Sequence, residues 1–150
     1  NQVNTTLAHQ LALYVVIYSP VQMAADLVEH YEANPAPFQF IKDVGVDWEK
    51  TDVLNGEVGD FVTIARKERN TGNWFLGAIT DENSRTININ FDFLDTDTNY
   101  EAILYKDGEN AHWNTNPLDL KIEKIEITNQ SKLTLKLAEG GGLAISIIKK

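Results

Sequence analysis

A mainly β architecture is what this sequence predicts: a C-terminal antiparallel β-sandwich of about seven strands, preceded by a helical and α/β segment. Three observations carry that expectation. From Asp60 onward the chain breaks into short strand candidates separated by polar turns, with no helical period between them. Two candidates, Thr86 to Phe91 and Leu133 to Leu137, alternate apolar and polar residues, as strands buried on one face do. The opening block instead spaces Leu7, Leu11, Val15 and Tyr18 as one side of a helix.

In chain order, Val3 to Tyr18 is the first helix, with Asn4 or Thr5 as its cap. The run from Ala12 to Ile17 makes it apolar nearly all round, so burial on several sides is expected. Ser19-Pro20 breaks it. Val21 to Ala25 is short and apolar and reads either as a buried strand or as a first helical turn started by Pro20. Leu27 to Asn34 is a short polar helix that Pro35 and Pro37 stop. A helix and one strand cannot bury themselves, so this block predicts packing neighbours N-terminal to Asn1. The absence of an initiator Met points the same way, toward a segment cut from something longer.

Phe38 to Glu57 is expected to be an ordered but irregular connector, with Phe40, Val44 and Trp48 among its apolar anchors and Gly45, Asn55-Gly56 and Gly59 as breaks. The strand candidates follow: Phe61 to Arg66, Asn73 to Ile79, Arg85 to Phe91, Asn99 to Asp107, Leu118 to Ile127, Lys132 to Leu137 and Leu143 to Ile148. Asn70-Thr71-Gly72, Asp81-Glu82-Asn83, Asp107-Gly108 and Gly140-Gly141-Gly142 supply the turns between them.

The 150 residues suffice for one complete domain and part of another. A net charge of −9 disfavours nucleic acid and anionic membrane surfaces as partners. With no cysteine, disulfides, thiol nucleophiles and thiolate metal sites are all excluded. The most apolar window, Leu11 to Tyr18, is too short to span a bilayer, and Asn1 to Thr6 lacks the basic start of a signal peptide.

Motifs that carry chemistry are sparse. Asp95-Thr96-Asp97-Thr98-Asn99 has calcium-loop spacing, but Tyr100 stands where such a loop needs glycine and Lys106 where it needs glutamate, so a polar turn is the better account. His9, His30 and His112 lie in no metal-ligand spacing. Asp26 has the most interesting address. If Val21 to Ala25 is a barrel strand, Asp26 ends it on the face where barrel enzymes place substrate. The commoner role is a cap on the next helix. Trp74 and Trp113, with Tyr105, are the aromatic candidates for stacking on sugar. Trp74 sits among Phe75, Leu76 and Ile79, which favours a core position, whereas Trp113 follows a polar stretch and is expected to be partly exposed.

The string Leu11 to Leu27, then Asn34 to Val44, Val53 to Asp60, Ile64-Ala65-Arg66-Lys67, Gly72 to Gly77 and Gly140-Gly141-Gly142 resembles glycoside hydrolase family 97, bacterial α-glucosidases and α-galactosidases of the Bacteroides starch-utilisation type. The resemblance covers essentially the whole chain. It implies that residues 1–58 are the end of a catalytic (β/α)8 barrel and residues 59–150 a C-terminal β-sandwich. It places the catalytic carboxylates and the calcium ligands upstream, since no position here matches them; no cofactor is expected in this segment. It implies a non-catalytic portion that supports the barrel of an oligosaccharide-degrading enzyme in the periplasm or cell envelope of a Gram-negative bacterium. The alternative is a carbohydrate-binding module that contacts α-linked sugar through Trp113, Tyr105 or Trp74.

Overall fold

The computed structural model describes residues 3–150. Three helices come first, α1 (Leu7–Val16), α2 (Val28–Ala33) and α3 (Pro35–Asp43). Eight strands follow: β1 (Trp48–Glu57), β2 (Phe61–Glu68), β3 (Trp74–Thr80), β4 (Arg85–Asn90), β5 (Tyr100–Asp107), β6 (Leu120–Ile127), β7 (Lys132–Leu137) and β8 (Gly142–Lys149). Six of them form one antiparallel sheet in the order β1-β2-β3-β8-β5-β6, and β4 pairs with β7 in a second.

Strand periodicity explains how the layers close. On one face of the large sheet, Trp74, Leu76 and Ala78 of β3, Leu143, Ile145 and Ile147 of β8, and Tyr100, Ala102 and Leu104 of β5 form a core with Ile87 and Ile89 of β4, Leu137 of β7, and Phe91. On the opposite face, Phe75, Tyr105 and Ala144 pack against Leu11, Ala12 and Val15 of α1 and Phe40 of α3. The central strands are therefore covered on both sides and read as unbroken apolar runs, while β4 and β7 alternate because only one face is covered. The two-stranded sheet lies over the first face, and α1 and α3 over the second.

All seven strand candidates are present, none with an end moved by more than two residues. The region before them differs from expectation in four places. The first helix is shorter, and its cap is Thr6, whose Oγ1 accepts the His9 amide at 3.2 Å. Val21 to Ala25 is neither strand nor helix but irregular chain, with exposed Val21 and Met23. Pro35 does not only stop a helix; it opens α3, where a missing amide costs nothing. The connector also holds β1, ten residues long. As an edge strand with one neighbour, β1 buries little, so Glu49-Lys50-Thr51-Asp52 shows no apolar alternation to betray it. The boundary drawn between residues 58 and 59 consequently cuts the β1–β2 hairpin, whose registered pairs run from Trp48↔Glu68 to Glu57↔Phe61.

Candidate functional site

The feature that sets this domain apart is how the second face of the large sheet grips α1 and what it leaves uncovered. Small residues let the helix approach closely. A Cβ on Gly77 would lie 2.7 Å from the Ala12 carbonyl oxygen and 3.0 Å from Val15 Cβ, and one on Gly142 would lie 2.5 Å from His9 Cα.

Both helix ends are tied to the sheet. At the N-terminus, Thr6 N donates to Gly140 O at 3.0 Å and Thr6 Oγ1 donates to Asp107 Oδ1 at 2.6 Å. Asp107, buried at the end of β5, also accepts the amides of Ala138 and Gly142, each at 2.9 Å. His9 Nδ1 donates to Gly141 O at 3.1 Å. Burial pushes the Asp107 carboxyl above the usual carboxylate range despite these donors, and burial pulls the His9 imidazole down. At the C-terminus, Arg66 Nε donates to Val15 O at 2.6 Å and Nη2 to Val16 O at 3.3 Å, while Nη1 reaches Thr51 Oγ1 at 2.8 Å. A buried guanidinium thus satisfies carbonyls that a helix end leaves without partners, and its charge complements the helix dipole.

Beyond Val16 the chain presents an uncovered apolar strip. Ile17, Tyr18, Val21, Met23, Leu27 and Val28 are all more than half exposed, Met23 at 81%. Local bonds shape the strip: Gln22 Nε2 donates to Tyr14 O at 3.1 Å and Ser19 Oγ to Val21 O at 2.5 Å. Helix α2 buries none of its residues. A six-residue helix with no packed face is marginal by itself, because nucleation costs more than so few bonds return.

The three candidate site residues are not brought together. Asp26 ends no strand and caps no helix: α2 begins at Val28 behind Leu27. Its Oδ1 accepts from His30 Nδ1 at 2.6 Å and from Leu27 N at 2.7 Å, and these two bonds hold the carboxyl below the usual range. Trp74 is 2% exposed, packed on Phe93 at 4.8 Å between ring centroids, and closed to sugar. Trp113 is partly exposed, as expected, with its ring centroid 5.8 Å from that of His112 and its base against the Gly140 turn. Tyr105 is buried under α3 against Phe40, 5.2 Å between ring centroids. Asp95 in the acidic turn is committed to Lys149 Nζ at 3.1 Å. No group of three or more metal-ligating side chains exists among the described residues. Sequence reasoning missed Arg66 and Asp107, which carry no motif and share their strands with other charged residues, Lys67 and Glu68 beside the first and Glu101 and Lys106 before the second.

A curated relative, a retaining α-galactosidase of Bacteroides thetaiotaomicron, is 39% identical over 142 residues, which are 95% of this chain and 21% of that protein. A glycoside hydrolase family 97 enzyme of Pseudoalteromonas sp., solved with acarbose, is 57% identical and superposes with a TM-score of 0.98 over 100% of this chain and 23% of that one; a structure of a variant with panose gives the same values. The chain thus spans about a fifth of the length of these relatives. The family described as glycosyl-hydrolase 97 C-terminal, oligomerisation, matches residues 47–148, from the start of β1 to the end of β8, and to that family the chain belongs.

Proposed function

We propose that this chain is the non-catalytic support at the C-terminal end of a family 97 α-glycosidase that degrades α-linked oligosaccharides, glucosides or galactosides. Its sheet holds α1, and α1 with the strip after it seats against a catalytic barrel earlier in the same polypeptide. One observation carries the reading: six large apolar side chains lie uncovered between Ile17 and Val28, directly after a helix clamped at both ends. Such a contiguous exposed patch marks a contact surface. The relatives support it, since each continues well beyond the matched region. In this reading the carboxylate pair of glycoside hydrolysis and any calcium lie in the upstream part, and the enzyme works in the periplasm or cell envelope.

The test uses the complete polypeptide with synthetic α-glucosides and α-galactosides. Tyr18→Ser with Met23→Ser should lower its melting temperature and the activity that survives mild heating, with KM unchanged. Unchanged thermal stability in that variant, or turnover by residues 1–150 alone, would refute the proposal.

A further inference from the structure

We propose that the open edge of β6 is where a second copy of this chain attaches, the two β6 strands pairing antiparallel about a twofold axis at Ile122. The family that matches residues 47–148 is described by oligomerisation, and the strip after α1 lies before that range, which places the contact between copies on another surface. Among the described residues of that range, the exposed large apolar side chains sit at two places. Val53 and Val58 belong to the β1–β2 hairpin, and Leu118 and Ile122 lie just before and within β6. These are also the two edges of the six-stranded sheet.

The two edges differ in their fitness for pairing. Strand β1 breaks register with its neighbour twice, a distortion that turns an edge away from further strands. Strand β6 pairs with β5 from Tyr100↔Ile127 to Asp107↔Leu120 without a shift. Asp119 O accepts the Gly108 amide at 2.8 Å, so the alternation of an antiparallel ladder turns the odd-numbered residues of β6 toward β5. The N–H and C=O groups of Leu120, Ile122, Lys124 and Glu126 are then directed at the open side. A straight edge of this kind is a template for another strand.

Side-chain charge selects the occupant and the register. Charges on an edge ordinarily repel a like strand, but those of β6 run Lys121, Glu123, Lys124, Glu126 and can match a copy of themselves. With Ile122 opposite itself, Lys121 of each copy stands opposite the partner's Glu123, at the positions of the ladder where side chains come closest. An axis at Lys121, Glu123 or Lys124 would instead set like charges together. An axis at Ile125 would match Lys124 to Glu126, which already face Glu101 and Lys150, and would leave Lys121 unmatched. Lys121 has no ion pair among the described residues, and Glu123, whose Oε2 accepts from Lys106 Nζ at 2.7 Å, has a second oxygen for another cation. Leu120 then lies opposite the partner's Lys124, whose methylene stem covers it.

Light-scattering masses of the complete polypeptide over a dilution series decide it. The parent should associate, and Lys121→Glu and Glu123→Lys should each raise its dissociation constant at least about tenfold, because each sets two like-charged pairs across the axis. Mixed in equal amounts, the two variants should associate with each other as tightly as the parent does, since every opposed pair is then Lys with Glu. Ile122→Pro should leave the protein monomeric at the same concentrations, for it removes an amide that points away from β5 and so keeps β6 in its own sheet. Lys121 lies opposite Lys106 in the sheet, so Lys121→Glu relieves a like-charge pair within the chain. With Ile122→Pro it carries the test even where Glu123→Lys fails to fold. A monomeric parent overturns the proposal, as do Lys121→Glu and Ile122→Pro proteins that associate like the parent, or folded variants whose mixture stays apart. Dissociation by Val58→Ser but not by Lys121→Glu moves the contact to the hairpin and overturns it too.

Discussion

Replacing Gly77 by alanine tests the grip on α1 at its tightest point. The new Cβ would stand 2.7 Å from the Ala12 carbonyl oxygen, 3.0 Å from Val15 Cβ and 3.1 Å from Val16 Cγ2. The first of these is backbone and cannot rotate away, so α1 must lift by roughly half an ångström or more, a gap that forfeits about a quarter or more of each contact's dispersion energy. Overpacking of this kind costs about 1–3 kcal/mol, and the gain from alanine over glycine within a strand returns about 0.5–1 kcal/mol of it. The expected net loss is about 0.5–2 kcal/mol in urea unfolding followed by tryptophan fluorescence. Lifting the helix also draws the Val15 and Val16 carbonyls off Arg66. The cost of Gly77→Ala should therefore shrink in an Arg66→Met background, a coupling that a double-mutant cycle measures. A Gly77→Ala protein as stable as the parent, or strictly additive with Arg66→Met, would show that the helix is not seated as described.

Arg66→Met should by itself cost about 2–3 kcal/mol, because it strips charged hydrogen bonds from buried carbonyls, and Arg66→Lys should rescue it poorly for want of a fork of donors; urea midpoints of the three proteins check this. Asp107 and His9 predict opposite pH dependences. Burial raises Asp107, so its contribution to stability is fully present below its ordinary value of 3.8 and is lost as pH rises through the raised folded value. Burial lowers His9, so its contribution is present above 6.5 and is lost as pH falls toward the lowered folded value. Unfolding free energies measured from about pH 4 to about pH 8 should show Asp107→Asn and His9→Gln each removing its own slope; identical profiles in all three proteins would contradict the burial of both groups. Trp74→Ala should cost about 3–5 kcal/mol in the same assay, as large-to-small core changes do. Asp26→Asn should leave the urea midpoint unchanged, its carboxylate being solvated.

What the sequence disclosed followed burial. Strands β3 and β8, covered on two faces, announced themselves as apolar runs, and β4 and β7, covered on one, as alternation. Strand β1 was hidden because an edge strand with exposed Glu49, Lys50 and Thr51 has no face to declare. Val21 to Ala25 misled for the converse reason: its apolar residues look like a strand's, yet among the described residues nothing covers Val21 or Met23. The core position of Trp74 was legible from its apolar neighbours. Arg66 and Asp107 were not, since their partners are main-chain groups more than thirty residues away for Asp107 and about fifty for Arg66, and sequence carries no sign of which carbonyl or amide will arrive there.

The near-uniform apolarity of α1 can now be assigned side by side. Ala8, Leu11, Ala12 and Val15 face the sheet and are buried, while Leu13, Tyr14 and Val16 remain half-covered. A helix that served this domain alone would carry polar residues on that second side. On the proposed function its other face would meet a neighbouring layer, and the boundary between the two bodies would run along the helix, not across the chain at one residue. The clamp at Asp107 and Arg66 then has a mechanical sense: it fixes the end-to-end orientation of an element that two layers share, so that displacing α1 on the sheet displaces the strip after it by the same amount. Variants that loosen the clamp, Arg66→Met first, should on this argument disturb the complete polypeptide at Tyr18 and Met23, residues they do not touch.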